Sequence, residues 1–169
     1  MVSLKKKGQS GFTIVELLIV IVIIGILAGL VITQIIGATA KARDTERKTD
    51  LDQVANQLEV YYARNGFYPT LANVNTAAWR NSVPGNAFSA GDAAKSLADP
   101  SNASTTTLSA TAPTAVGGAY SYVPTPASCT AGTDNAGGSI ASTTPCTGYT
   151  LTAWLESPAG AYAKTNASN

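Results

Sequence analysis

The sequence predicts an α+β chain. One long N-terminal helix, apolar all round in its first half and amphipathic in its second, carries a small, loop-rich head on an antiparallel sheet. Three observations point there. Leu17–Ile36 is an almost unbroken apolar run in which Thr33 and Gln34 are the only polar members. Behind it, Leu51, Val54, Ala55, Leu58, Tyr61 and Tyr62 recur at helical spacing. Farther on, AYSYV (119–123) and YTLTAWLE (149–156) alternate as half-buried strands do.

The apolar run sets the first element. A bilayer core of about 30 Å needs roughly 20 helical residues, and this run supplies them. Its IVIVII stretch is β-branched and favours a strand in water, but in lipid only a helix satisfies its own backbone. Lys5, Lys6 and Lys7 precede the run, and a balanced mixture of charges follows it. That asymmetry keeps the N-terminus in the cytoplasm and sends the rest across. A secretory signal is the rival reading, with Ala38-Thr39-Ala40 as a cleavage triplet. Its apolar region is usually about 7–15 residues, shorter than this one. Neither a signal nor a plain anchor explains Glu16, the single charge between Lys7 and Lys41. A carboxylate at the edge of hydrocarbon is costly and needs a partner. Cutting after Gly11 would supply one, the new amine of Phe12, about one helical turn from Glu16. An amine from one copy could then neutralise the acid of its neighbour. A chain on its own would leave that acid unpaired.

These residues carry a resemblance. KKKGQSG followed by FTIVELLIVIVIIGILAGL is similar to the leader and N-terminal helix of type IV pilins and of type II secretion pseudopilins. The resemblance implies cleavage between Gly11 and Phe12 by a prepilin peptidase, N-methylation of Phe12, and Glu16 as the acid used in assembly. It also implies an assembly ATPase and a polytopic platform protein as partners, and a homo-oligomeric helical filament as product. The expected organisation is a cleaved leader (1–11), a transmembrane or filament-core half-helix (12–40), and a pilin-like head (41–169) that includes the amphipathic half-helix (41–65). The precursor would sit in the cytoplasmic membrane and the product would be an extracellular filament. Many pilins have a proline where this chain has Thr33. Here Gly25, Gly29, Thr33 and Gly37 recur every four residues instead, either as a seam for close helix packing or as ordinary membrane-helix glycines.

Past Gly37 the pattern becomes one-sided. Asp44–Lys48 and Lys48–Asp52 are opposite charges four apart, expected on a solvated face. Asn65-Gly66 is the stop signal, with Pro69 beyond. Leu71–Trp79 and Gly91–Leu97 are expected as short helices or turns. Pro100–Gly118, rich in Ser, Thr and Ala, is expected as an exposed excursion, with Asn102-Ala103-Ser104 as a weak glycosylation triplet. Tyr149, Leu151, Ala153 and Leu155 would share the strand face that meets the helix, with Trp154 turned away.

The composition limits the chemistry. With no His in the chain, imidazole chemistry and His metal sites are excluded, and no cofactor is implied. Cys129 and Cys146 are expected as a disulfide outside the cytosol, closing a loop that contributes little core. Asp134-Asn135 falls well short of a calcium ligand set. The head is nearly neutral, which argues against a nucleic-acid surface. Its scattered charges argue against an enzyme. The function expected is therefore structural: a type IV pilus subunit serving adhesion, motility or DNA uptake. The alternatives are a type II secretion pseudopilin and a minor tip pilin that binds through Trp79, Arg80 or Trp154.

Overall fold

The computed structural model describes residues 11–82, 96–130 and 144–166. Along the chain come α1 (Ile14–Asn65), α2 (Leu71–Asn75), α3 (Ala77–Ser82), β1 (Ser121–Thr125), β2 (Gly148–Glu156) and β3 (Ala159–Thr165). The chain divides into two compact units, Met1–Thr39 and Ala40–Asn169.

In the first unit the described residues are helical from Ile14 onward, and α1 is long and apolar enough to cross a membrane. Its large apolar side chains are all at least half exposed, from Val20 at 50% to Ile14 at 86%. None of them packs into a core within this unit. A β carbon added at Gly25, Gly29 or Gly37 would meet nothing within 4 Å. The chain's own packing therefore does not require those glycines.

The second unit has a dense core. Leu51, Val54, Ala55, Leu58 and Tyr61 on α1 pack with Tyr122, Tyr149, Leu151 and Ala153 of the sheet, all nearly inaccessible. The helical stripe and the strand face read in the sequence thus meet, because periods of 3.6 and 2 each put one side of an element against the other. Trp154 lies on the opposite face of β2 and is half-buried. α1 ends at Asn65, where Gly66 takes φ +78 and its N–H bonds to the Tyr62 carbonyl at 2.7 Å. Glycine enters this left-handed conformation without steric cost, so the helix stops there.

Several expectations are corrected. The sheet has three antiparallel strands in the order β1-β2-β3, and β3 was not foreseen. Its sequence, AGAYAKT, is mostly Ala and Gly, which strands disfavour on propensity alone. The Leu71–Trp79 segment forms two helices separated by Thr76, and α2 is opened by the Thr70 hydroxyl capping Asn73 N–H. Pro100–Gly118 is largely exposed yet tied down. Leu108 is buried, and its backbone exchanges two hydrogen bonds with the Asn75 side chain, both 2.8 Å. Residues 91–95 of the expected helix, like Asp134 and Asn135, lie outside the described residues.

Candidate functional site

The polar start of α1 is built locally. The Thr13 N–H and hydroxyl both donate to Glu16 Oε2, at 2.9 and 2.7 Å, and the Glu16 N–H returns a bond to the Thr13 hydroxyl at 3.3 Å. This reciprocal arrangement is a capping box. It satisfies the orphan N–H groups at a helix start and places an acid against the positive end of the helix dipole. Within a single chain Glu16 thus has hydrogen-bond partners in Thr13, which supply no counter-charge. The T-x-x-E spacing was the signal for this in the sequence. Phe12, just ahead of the helix, is 87% exposed, and Gly11 is exposed beside it. Both ends of the expected cleavage point are thus accessible, next to a carboxylate held by one residue.

The charges beyond the boundary at Ala40 divide: Lys41, Glu46, Lys48 and Asp52 are exposed as expected, whereas Asp44 and Arg47 turn inward. Arg47 is fully buried and Asp44 nearly so. The Arg47 guanidinium donates to Asp99 through Nε (2.7 Å) and Nη2 (3.1 Å), to Asp44 and Glu156 through Nη1 (2.9 and 2.7 Å), and to the Ser101 hydroxyl (2.9 Å). Arg43 grips the other side of Glu156 through Nε and Nη2. Asp44 in turn accepts the backbone N–H groups of Glu156 and Ser157, both at 2.8 Å. One cluster thus ties α1, the 99–101 loop and the β2–β3 turn together. Neither opposite-charge pair read from the spacing forms as expected. Lys48 lies over the Tyr162 ring, 5.4 Å from its centre, and Asp52 accepts from Lys164.

Electrostatics follow the geometry. Burial by itself lowers the Arg47 pKa, but its bonds to Asp99 and Glu156 outweigh that and hold it above the ordinary value. The Arg43 hydrogen bonds, assisted by Arg47, pull Glu156 down to about 2. Asp50 has no such help. Burial raises it to about 6 despite a 2.9 Å hydrogen bond from the Tyr120 hydroxyl. Glu59 accepts from both Tyr68 and Tyr149 at 3.0 Å, and burial followed by Glu59 pushes Tyr68 up to about 12.

Other predicted residues fall as follows. Cys129 and Cys146 are bonded, with Cα atoms 5.0 Å apart. Trp79 packs against the core beside Tyr61, and Arg80 donates inward to the Val74 carbonyl at 2.9 Å, so neither side chain forms an outward patch. The Asn102 amide donates to the Gly117 carbonyl and accepts from Ser104, which occupies the glycosylation triplet with internal bonds. No group of three or more His, Cys, Asp or Glu that could hold a metal occurs among the described residues. What the sequence reading missed was Arg47. It was legible in principle, since Asp44 and Arg47 extend the Leu51–Leu58 stripe backward at the same spacing.

Residues 6–32, which contain Gly11, Phe12, Thr13 and Glu16, match the family described as the prokaryotic N-terminal methylation motif. The chain is also similar to the type II secretion system core protein G of Aeromonas hydrophila, 42% identical over 67 residues. That alignment covers 40% of this chain and 47% of the relative. It resembles the protein of the same name from Pseudomonas aeruginosa at 39% over 67 residues (40% and 47%), and that from Vibrio cholerae at 39% over 66 residues (39% and 45%). The N-terminal part of the chain is therefore similar to the type IV pilins and pseudopilins. It spans about half the length of the curated relatives it matches. No solved structure matches it. The apolar helix together with the methylation motif fits a membrane-anchored precursor. The named relatives are secretion proteins, so they favour the pseudopilin alternative over the type IV pilus that the sequence reading put first.

Proposed function

We propose that the chain is the precursor of a structural subunit in a pilus-like filament of the type II secretion kind. A prepilin peptidase removes the leader after Gly11, and Phe12 becomes the methylated N-terminus. The helix then leaves the bilayer for a bundle of identical helices. Glu16 exchanges its Thr13 cap for the Phe12 amine of a neighbouring copy, which gives it a full counter-charge in a medium of low dielectric. Gly25, Gly29, Thr33 and Gly37 form a seam that lets adjacent helices approach. An assembly ATPase and a membrane platform drive the process, and the head is displayed outside the membrane.

The observation that carries this reading is the Thr13–Glu16 box, one acid held at the start of a helix whose apolar residues from Ile14 to Ile36 are all exposed. Intact-mass measurement of the chain from membranes and from sheared surface material tests it. The expected mass is that of the precursor less residues 1–11 plus one methyl group, and retention of Lys5–Lys7 contradicts the proposal. Deleting the chain should stop release of secreted proteins while leaving surface attachment and twitching unchanged. The opposite pattern would restore the pilus reading.

A further inference from the structure

Ala38-Thr39-Ala40 plays no part in the function proposed above, yet it sets small side chains one and three places ahead of the Ala40–Lys41 bond. That is the pattern at which secretory leaders are cut. It also falls where such a cut can be made. Leu17–Ile36 is twenty residues, about 30 Å of helix, which matches the hydrocarbon core. With Lys5–Lys7 held on the cytoplasmic side, the residues just after Ile36 emerge at the outer interface.

Two structural observations bear on the same bond. The second compact unit begins at Ala40, so the bond to Lys41 lies one residue inside its edge. Around it, Gly37, Ala38, Thr39, Lys41 and Ala42 are exposed and Ala40 is half-buried. Among the described residues, the side-chain bonds that join α1 to the rest of the head begin at Arg43 and Asp44. None of residues 37–42 belongs to the core. Opening the helix there gives up backbone hydrogen bonds and no core contact. The stretch is also a weak piece of helix. Gly37 has no side chain to restrict its backbone, and the Thr39 hydroxyl turns back onto the Ile35 carbonyl at 2.8 Å, a bond that loosens helices.

We infer that the Ala40–Lys41 bond is a second processing site, cut at the outer face of the membrane by a peptidase that requires small residues at those two positions. Water adds across the bond. The Ala40 carbonyl carbon keeps the oxygen as a carboxylate, and the Lys41 nitrogen leaves as an α-ammonium. The released product is the head alone. It retains the Arg47 cluster and the Leu51–Leu58 stripe, and Asp44 becomes the acid in the first turn of the shortened helix, the favourable sign at that end. The apolar run is longer than that of a dedicated secretory signal, and the bond lies in a helix that has to open first. The cut is therefore slow, and anchored and soluble forms coexist. It depends on neither the cut after Gly11 nor filament assembly.

The test follows the full-length chain in the cells that make it. Membranes and the soluble extracytoplasmic fraction are each probed with antibody to the head, and the captured protein is weighed intact. The expected soluble species has the mass of the precursor less residues 1–40, carries no methyl group and starts at Lys41. Ala38→Phe, at an exposed position, should reduce it at least tenfold while the anchored form remains. Ala38→Ser, which keeps the side chain small, should preserve it. Absence of soluble head from the parent, a soluble head that starts elsewhere than Lys41, or one that persists in Ala38→Phe would each overturn the proposal. The cut after Gly11 is read on the membrane form in the same experiment, so the two sites are scored independently.

Discussion

Leu27 and Leu58 stand on the same helix and live in opposite surroundings. Leu27 is 56% exposed within the first unit, whereas Leu58 is wholly inaccessible in the second. The difference is one of partners. The second unit holds within itself the residues that cover its apolar stripe: Tyr149, Leu151 and Ala153 from β2, and the tyrosines around them. The described residues of the first unit include none, so within this chain its aliphatic surface stays uncovered. One region is finished by folding and the other is not.

That contrast can be broken at several points. The largest effect on the head is expected at Arg47, since Arg47→Ala leaves Asp99 and Asp44 buried without their counter-charge. Breaking a buried pair this way costs about 3–5 kcal/mol, read as a lowered midpoint in denaturant unfolding. Leu58→Ala should cost about 2–5 kcal/mol in the same assay, whereas Leu27→Ala should leave the unfolding of the head unchanged. Comparable losses from both would mean that the two regions do not fold separately. Replacing both cysteines by serine releases a link across 17 residues and should cost about 3 kcal/mol on loop-closure grounds, measured against the oxidised parent.

The smallest effect is a pH dependence with two opposed parts. Asp50 is raised to about 6 from an ordinary value of 3.8, so the folded state binds its proton more readily and stability grows as pH falls through 6 toward 4. Glu156 is lowered to about 2 from 4.5, so its contribution is present above pH 4.5 and is lost between there and 2. The thermal midpoint should therefore peak near pH 4–5, and Asp50→Asn should remove the rise from neutral pH while sparing the acid decline.

The helix and its core face were legible because periodicity survives in the sequence. Leu51, Val54, Leu58 and Tyr61 repeat at helical spacing, and Tyr149, Leu151 and Ala153 alternate, whatever else the chain does. The start of α1 was legible as chemistry but not as structure. Glu16 stood out as a lone charge, whereas its bond to Thr13 needed the capping pattern to be recognised. The Arg47 cluster was hidden because its partners, Asp99 and Glu156, lie far along the chain and become neighbours only on folding. β3 was hidden because Ala and Gly carry little strand signal, and its pairing with β2 is a property of the sheet. The preference for a secretion filament over a pilus came from relatives, as no feature of the head was read as favouring either.

The most direct test of the account is a paired measurement on Glu16→Gln, which keeps the shape of the side chain and removes its charge. Filament yield and the unfolding midpoint of the head would be recorded on the same membrane preparation. The account predicts that filaments fall to a small fraction of the parent level while the midpoint does not move. Normal filaments from the uncharged variant would contradict it.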